Sequence, residues 1–145
     1  MIYQRLDKSH APLIAKLFST DLPDGWSQNL IEDAFIEGRF YALGAFSENE
    51  LVGVITFDKS FETADLEDIV VKKQFRNKGV ATNLLERAET DLKSQKTEKV
   101  FLEVRESNFT AISFYSKNGF KKISVRKNYY ADGENALVML KELAL

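Results

Sequence analysis

The chain has 145 residues, with 20 lysines and arginines against 22 aspartates and glutamates and a net charge of −2. That length suits one domain spanning 1–145 with its own core, and the interspersed charges give no basic field of the kind nucleic acid attracts, so no direct nucleic-acid binding is expected. With no cysteine and one histidine, His10, the chain lacks disulfides and thiolate catalysis, no metal is expected, and without a signal-peptide core or membrane-length apolar run the cytoplasm is the expected compartment.

In chain order, Ile2 to Leu6 reads as a first strand. Ser9 then caps a helix with Leu13, Ile14, Leu17 and Phe18 on one face, and His10 is a solvated first-turn residue. The turn Asp21-Leu22-Pro23-Asp24-Gly25 stops this helix. Ser27 caps a second one, with Leu30, Ile31, Ala34 and Phe35 as its apolar stripe and Gly38 at its end. Phe40 to Phe46 and Leu51 to Phe57 flank the turn Ser47-Glu48-Asn49-Glu50, and Asp65 to Lys72 extends them into an antiparallel meander. A long helix after Gly79 repeats Val80, Leu84, Leu85, Ala88 and Leu92 near helical period. The strand Lys99 to Arg105, a helix from Asn108 to Asn118 closed by Gly119, and two strands, Phe120 to Lys127 and Ala136 to Leu140, complete the pattern. The order β-α-α-β-β-β-α-β-α-β-β predicts a mixed α/β sheet of the α+β type, mostly antiparallel.

The junction between the third meander strand and the long helix carries the strongest ligand signal. Arg76-Asn77-Lys78-Gly79-Val80-Ala81 opens a helix whose first N–H groups lack intrahelical partners, so backbone donors and the positive end of the helix dipole converge there. Gly79 and Ala81 keep side-chain bulk away, and Arg76 and Lys78 add positive charge. On this segment alone, a basic surface turn linking strand to helix is the other reading. A Walker loop is excluded because no glycine stands five residues before Gly79 and no Lys-Ser or Lys-Thr follows it; a lone mid-chain glycine does not make a dinucleotide fingerprint.

The strand Val100-Phe101-Leu102-Glu103-Val104-Arg105 alternates, setting Phe101, Glu103 and Arg105 on one side. Burial of a mid-strand carboxylate would raise its proton affinity and make Glu103 a usable base; a solvated glutamate paired with a neighbouring cation is the competing reading. Next comes Asn108, Ala111, Tyr115, Gly119 and Phe120 in the spacing N-x-x-A-x-x-x-Y-x-x-x-G-F, where helix cap, buried stripe and helix stop would each be an adequate structural account.

Taken together, these segments resemble the GNAT superfamily of acyl-CoA-dependent N-acyltransferases, most closely from Ile69 to Phe120. Leu102-Glu103-Val104-Arg105, Trp26-Ser27 and Arg126-Lys127-Asn128-Tyr129-Tyr130, followed by Asp132-Gly133-Glu134-Asn135-Ala136, look like the bacterial ribosomal-protein-alanine N-acetyltransferases (RimI type). The resemblance implies acetyl-CoA as co-substrate. It implies that Ile69, Val70 and Val71 meet the pantetheine arm, that Arg76, Asn77, Lys78, Gly79, Val80 and Ala81 hold the pyrophosphate, and that Asn108 touches the coenzyme. Glu103 would be general base and Tyr115 general acid, and Trp26, Tyr129 and Tyr130 would grip the acceptor, the N-terminal peptide of a ribosomal protein. Other protein N termini, lysine side chains or a small-molecule amine would suit the same chemistry. A non-catalytic acyl-CoA-binding interaction module is the alternative of another class.

Overall fold

In the computed structural model, which describes residues 1–22 and 25–143, the expected element order holds: β1 (Ile2–Arg5), α1 (Ala11–Asp21), α2 (Gln28–Glu37), β2 (Phe40–Ser47), β3 (Glu50–Lys59), β4 (Thr63–Val71), α3 (Val80–Ser94), β5 (Lys99–Arg105), α4 (Phe109–Lys117), β6 (Lys121–Arg126) and β7 (Ala136–Glu142). The strands form one seven-stranded sheet in the order β1-β2-β3-β4-β5-β7-β6. All neighbours are antiparallel except β4 and β5, which run parallel because α3 crosses over between them. The last strand in sequence, β7, lies between β5 and β6 and leaves β6 at the edge with every residue exposed.

Local chemistry accounts for most element ends. Ser27 accepts a hydrogen bond from the Leu30 N–H at the start of α2, and Gly38 ends that helix in the left-handed conformation at φ 86°. Ser9, in contrast, does not cap α1. Asp7 reaches past it to accept from the Ser9 N–H and starts the 3-10 turn Lys8–His10, and Ser9 spends its hydroxyl on the same carboxylate. His10 accepts from the Asp7 N–H through Nδ1 and is half-buried rather than solvated. The turn expected after α1 includes Pro23 and Asp24, which lie outside the described residues.

Two apolar layers cover the sheet. On one face α3 buries Val80, Leu84, Leu85, Ala88 and Leu92 against Val52, Phe57, Val100 and Leu102, with Ala111, Phe114 and Tyr115 of α4 packed alongside. On the other, Ala11, Ile14, Leu17 and Phe18 of α1 and Ile31 of α2 meet Val54 and Val70. Two positions expected in these stripes, Leu13 and Leu30, point to solvent instead, 41% and 57% exposed. The buried stripe of α1 runs 11, 14, 17 and 18, so Ala11, three residues before Ile14 on the same helical face, is buried in place of Leu13.

Leu84 is fully buried in the layer beneath α3. Leu84→Ala is expected to lower unfolding stability by about 2–5 kcal/mol, read from urea denaturation, through lost transfer free energy and the cavity left behind.

Candidate active site

The pairing of β4 with β5 extends only over Thr63, Ala64 and Asp65 opposite Lys99, Val100 and Phe101. Beyond that point β4 continues beside β3 as far as Val71, and β5 continues beside β7 as far as Arg105, so the two strands part. Backbone groups on the facing edges lose their ladder partners, and a cleft of about 600 Å³ opens along the end of β4, between it and α4. Ile69, Val70 and Val71 form its β4 wall. Asn108, Thr110, Ala111, Phe114 and Tyr115 enter from α4, and Asp21 and Leu22 from the end of α1.

The cleft floor is the start of α3. Asn77 at φ 61° and Gly79 at φ 81° are both left-handed, and Gly79 caps the helix without a side-chain bond. The leading N–H groups of α3 therefore have no helical acceptor, and Asn77, Gly79, Val80 and Ala81 line the cleft where those donors sit. A Cβ on Gly79 would meet no atom closer than 3.8 Å, so its dihedral angle, not crowding, calls for glycine. The two cations beside this loop differ from the sequence expectation. Arg76 lines the cleft but donates from Nε to the Val71 carbonyl at 2.8 Å and pairs with Asp21 at 3.5 Å, bracing the loop against β4 and α1. Lys78 lies over the Phe75 ring, 5.9 Å from its centroid, and is absent from the cleft wall.

Tyr115 and Glu103 approach the parted strands from opposite faces. Tyr115 packs in the α3 and α4 layer, where burial first and the charge of Asp68 second push its phenol up to about 12. Val100, Leu102 and Val104 also face that layer, so alternation turns Glu103 to the face of α1 and α2. Its environment is not the apolar one that would make it a desolvated base. Glu103 is exposed, pairs with Arg126 of β6 at 3.1 Å and accepts from the Tyr129 hydroxyl at 3.4 Å. Tyr129 meets Tyr130 edge to face at 5.1 Å, so both tyrosines stand on the Glu103 side. Trp26 is separate: it stacks on Phe40 and lines a smaller pocket of about 120 Å³ with Arg39, Asp58 and Glu67. Asn108 caps α4 by accepting from the Ala111 N–H at 3.2 Å while lining the cleft.

The sequence reading missed Asp68. Thr56 pairs with Asp68 but Phe57 pairs with Leu66, so β4 bulges at Glu67. The signal is present in the residues: Ala64 and Leu66 face the α3 layer, as do Ile69 and Val71, and the parity between those pairs changes across Glu67-Asp68. Burial raises the Asp68 carboxyl from its ordinary 3.8 to about 6. Glu67 is pushed to about 7 by partial burial first and then by the charges of Asp58, Asp68 and Asp65, although its side chain still meets water. Among the described residues no cluster of three or more histidines, cysteines, aspartates or glutamates is arranged to hold a metal ion, and no helix is long and apolar enough to cross a membrane.

This geometry agrees with comparisons to known proteins. The Acetyltransferase (GNAT) family model matches residues 11–120. A bS18-alanine N-acetyltransferase of Salmonella typhimurium is 32% identical over 139 residues, 87% of this chain and 94% of that protein. An N-alpha-acetyltransferase of Saccharolobus solfataricus is 47% identical over 76 residues, 52% of this chain. The chain spans less than half the length of that archaeal relative, 46%. The crystal structure of the Escherichia coli ribosomal-protein-S18-alanine N-acetyltransferase superposes with a TM-score of 0.90 at 23% identity, covering 99% of this chain and 94% of that one. The chain belongs to the GNAT acetyltransferase family, whose members use acetyl-CoA as acyl donor.

Asp68 has a pH signature. Its proton affinity is higher in the folded chain, so below its ordinary value the group is neutral in both states and costs nothing; as pH rises through about 6 it ionises while half-buried and stability falls. Asp68→Asn is expected to be more stable than the wild type at pH 8, by on the order of 1–3 kcal/mol, with the gap closing toward pH 4. Urea midpoints of the two proteins at both pH values check this, and an equal gap at both would refute it.

Proposed function

We propose that this protein is an acetyl-CoA-dependent Nα-acetyltransferase acting on the N-terminal alanine of a small-subunit ribosomal protein, in the cytoplasm. The observation that carries the acceptor is the 32% identity to the Salmonella bS18-alanine enzyme across 87% of the chain. In this reading the pantetheine arm lies along Ile69, Val70 and Val71 as a further strand. The pyrophosphate sits on the N–H groups from Asn77 to Ala81, with Arg76 and Lys78 beside it, and Asn108 contacts the coenzyme. The acceptor enters from the other face, past Trp26, Tyr129 and Tyr130.

An α-amine arrives largely as ammonium and attacks a thioester only after losing a proton, which Glu103 accepts directly or through water. Arg126 holds the carboxylate in place until the incoming ammonium competes for it. Attack forms a C–N bond and an oxyanion, for which the unpaired β4 N–H groups are preorganised donors. The nitrogen, cationic after attack, gives up its second proton to water; collapse breaks the C–S bond, and the sulfur needs a proton. A phenol held near 12 gives its proton to a relaxed thiolate, conjugate acid near 8.5, at a cost of roughly 5 kcal/mol. In this reading Tyr115 supplies that proton as the C–S bond breaks and is reprotonated from water, so the uphill transfer is part of the barrier to coenzyme A release.

The archaeal N-alpha-acetyltransferase, 47% identical over about half the chain, favours a second reading with a broader set of protein N termini as acceptors. Incubating acetyl-CoA with an Ala-start peptide, an N-terminally blocked lysine peptide and a polyamine separates the acceptor classes by coenzyme A release and peptide mass. Acetylation confined to the free Ala terminus is the expected result; turnover of either other amine overturns it. Glu103→Gln and Tyr115→Phe are each expected to lower kcat by about 10²–10⁴ while acetyl-CoA affinity holds. Binding of acetyl-CoA without turnover on any amine would favour an interaction module.

A further inference from the structure

The connection between β6 and β7, residues 127–135, is much longer than an antiparallel hairpin needs, and it carries both tyrosines of the acceptor side. The Glu106 N–H donates to the Asn135 carbonyl at 3.2 Å where the connection ends, but its tip, Tyr130 to Glu134, is held mainly by one side chain. Arg105, the last residue of β5, places Nη1 2.9 Å from Asp132 Oδ2 and 2.9 Å from Glu134 Oε1, and its guanidinium carbon lies 4.0 Å from the centroid of the Tyr130 ring. The other oxygen of Glu134 accepts from the Ser107 N–H at 2.9 Å, and Asp132 accepts from the Glu134 N–H at 3.0 Å. Within the connection, Gly133 donates to the Tyr130 carbonyl and Tyr130 to the Glu134 carbonyl, making a compact turn that Arg105 grips from outside.

An isolated surface ion pair contributes little, but here one planar guanidinium joins two carboxylates and an aromatic face, a geometry a lysine does not reproduce. The consequence extends to the reacting groups. Tyr130 meets Tyr129, the Tyr129 hydroxyl reaches Glu103, and Arg126 pairs with Glu103 while lying over the Tyr129 ring at 5.5 Å. Glu103 and Arg105 stand on the same side of the same strand, two residues apart, so the point where the connection is fastened and the point where the acceptor amine is deprotonated are separated by one pleat.

We propose that Arg105 is a positioning residue for acceptor binding: it fastens the 127–135 connection to the end of β5 and thereby sets Tyr129 and Tyr130 against Glu103. The proposal rests on the acceptor side assigned above. It predicts a split between the two substrates, because the coenzyme cleft is lined by β4, α4 and the start of α3 and contains neither Arg105 nor the connection.

The test compares wild type, Arg105→Gln, Arg105→Lys, Glu134→Gln and the Arg105→Gln/Glu134→Gln pair. Arg105→Gln is expected to raise the acceptor KM about tenfold or more while the acetyl-CoA KM stays within about twofold. Arg105→Lys should recover only part of the loss, and the double variant should be little worse than either single one because the two residues act as a unit. Limited trypsin digestion, read by mass spectrometry, supplies a measurement independent of acceptor identity: cleavage after Arg126 or Lys127 should become several-fold faster in Arg105→Gln. Unchanged cleavage overturns the fastening, and faster cleavage with an unchanged acceptor KM overturns its role in acceptor binding. Equal rises in both KM values would mark a general structural defect and also overturn it. Should Arg105→Gln fail to fold, Glu134→Gln carries the same comparison. Wild-type turnover of the blocked lysine peptide or the polyamine in place of the Ala peptide refutes the Nα reading; the KM of the amine that is used and the cleavage rate then decide the proposal.

Discussion

The structure depends on two strands that begin as a parallel pair and do not remain one. The β4–β5 ladder ends after Asp65 and Phe101, yet each strand continues with its outer neighbour, so the backbone is half-satisfied on both sides of a gap. Unpaired N–H and C=O groups are costly when buried and useful when a ligand supplies the partner. The gap also puts the α4 residues opposite the start of α3. The α3 terminus adds donors without acceptors at the base of the cleft, because Gly79 caps it by conformation and not by a side chain. One topological event thus produces an extended edge and an anion-seeking terminus on the same wall.

The gap also joins two chemically different faces. On the α3 and α4 side, Tyr115 is packed among apolar residues and keeps its proton well above neutral pH. On the α1 and α2 side lie carboxylates and cations that meet water to varying degrees, among them Glu103 with Arg126 and the Asp58–Arg39 pair. A phenol that holds its proton tightly and an exposed carboxylate paired with an arginine thereby lie on opposite faces of the same parted strands. The bulge in β4 adds Asp68 near this junction, and its charge is felt by Tyr115. Arg105 pairs with Asp132 and Glu134 of the 127–135 connection, and Arg126 of β6 pairs with Glu103 of β5.

Much of this was legible in the residues. The helix stops at Gly38 and Gly119, the cap at Ser27, the buried repeat of α3 and the alternation of β5 are local patterns, and each has a local cause. The glycine junction before α3 was readable for the same reason. A solvated, paired Glu103 was one of two readings the residues allowed, whereas the cap at Asp7, the outward Leu13 and Leu30 and the bracing of Arg76 by Val71 and Asp21 were not legible, since each depends on what lies across the chain. The β4 bulge was an intermediate case, visible as a change of parity in the apolar residues only after one knows which layer each of them faces.

By itself the sequence determined the elements, their order and the left-handed turn that opens α3, because backbone preference and apolar period act over a few residues. Tertiary structure alone decided that β7 inserts between β5 and β6, that β4 and β5 part after three residue pairs, and that Arg126 rather than an apolar wall surrounds Glu103. Those outcomes follow from pairing and packing between segments distant in the chain, where the competing arrangements differ in which partner satisfies a backbone edge or a charge, and no local pattern records that choice.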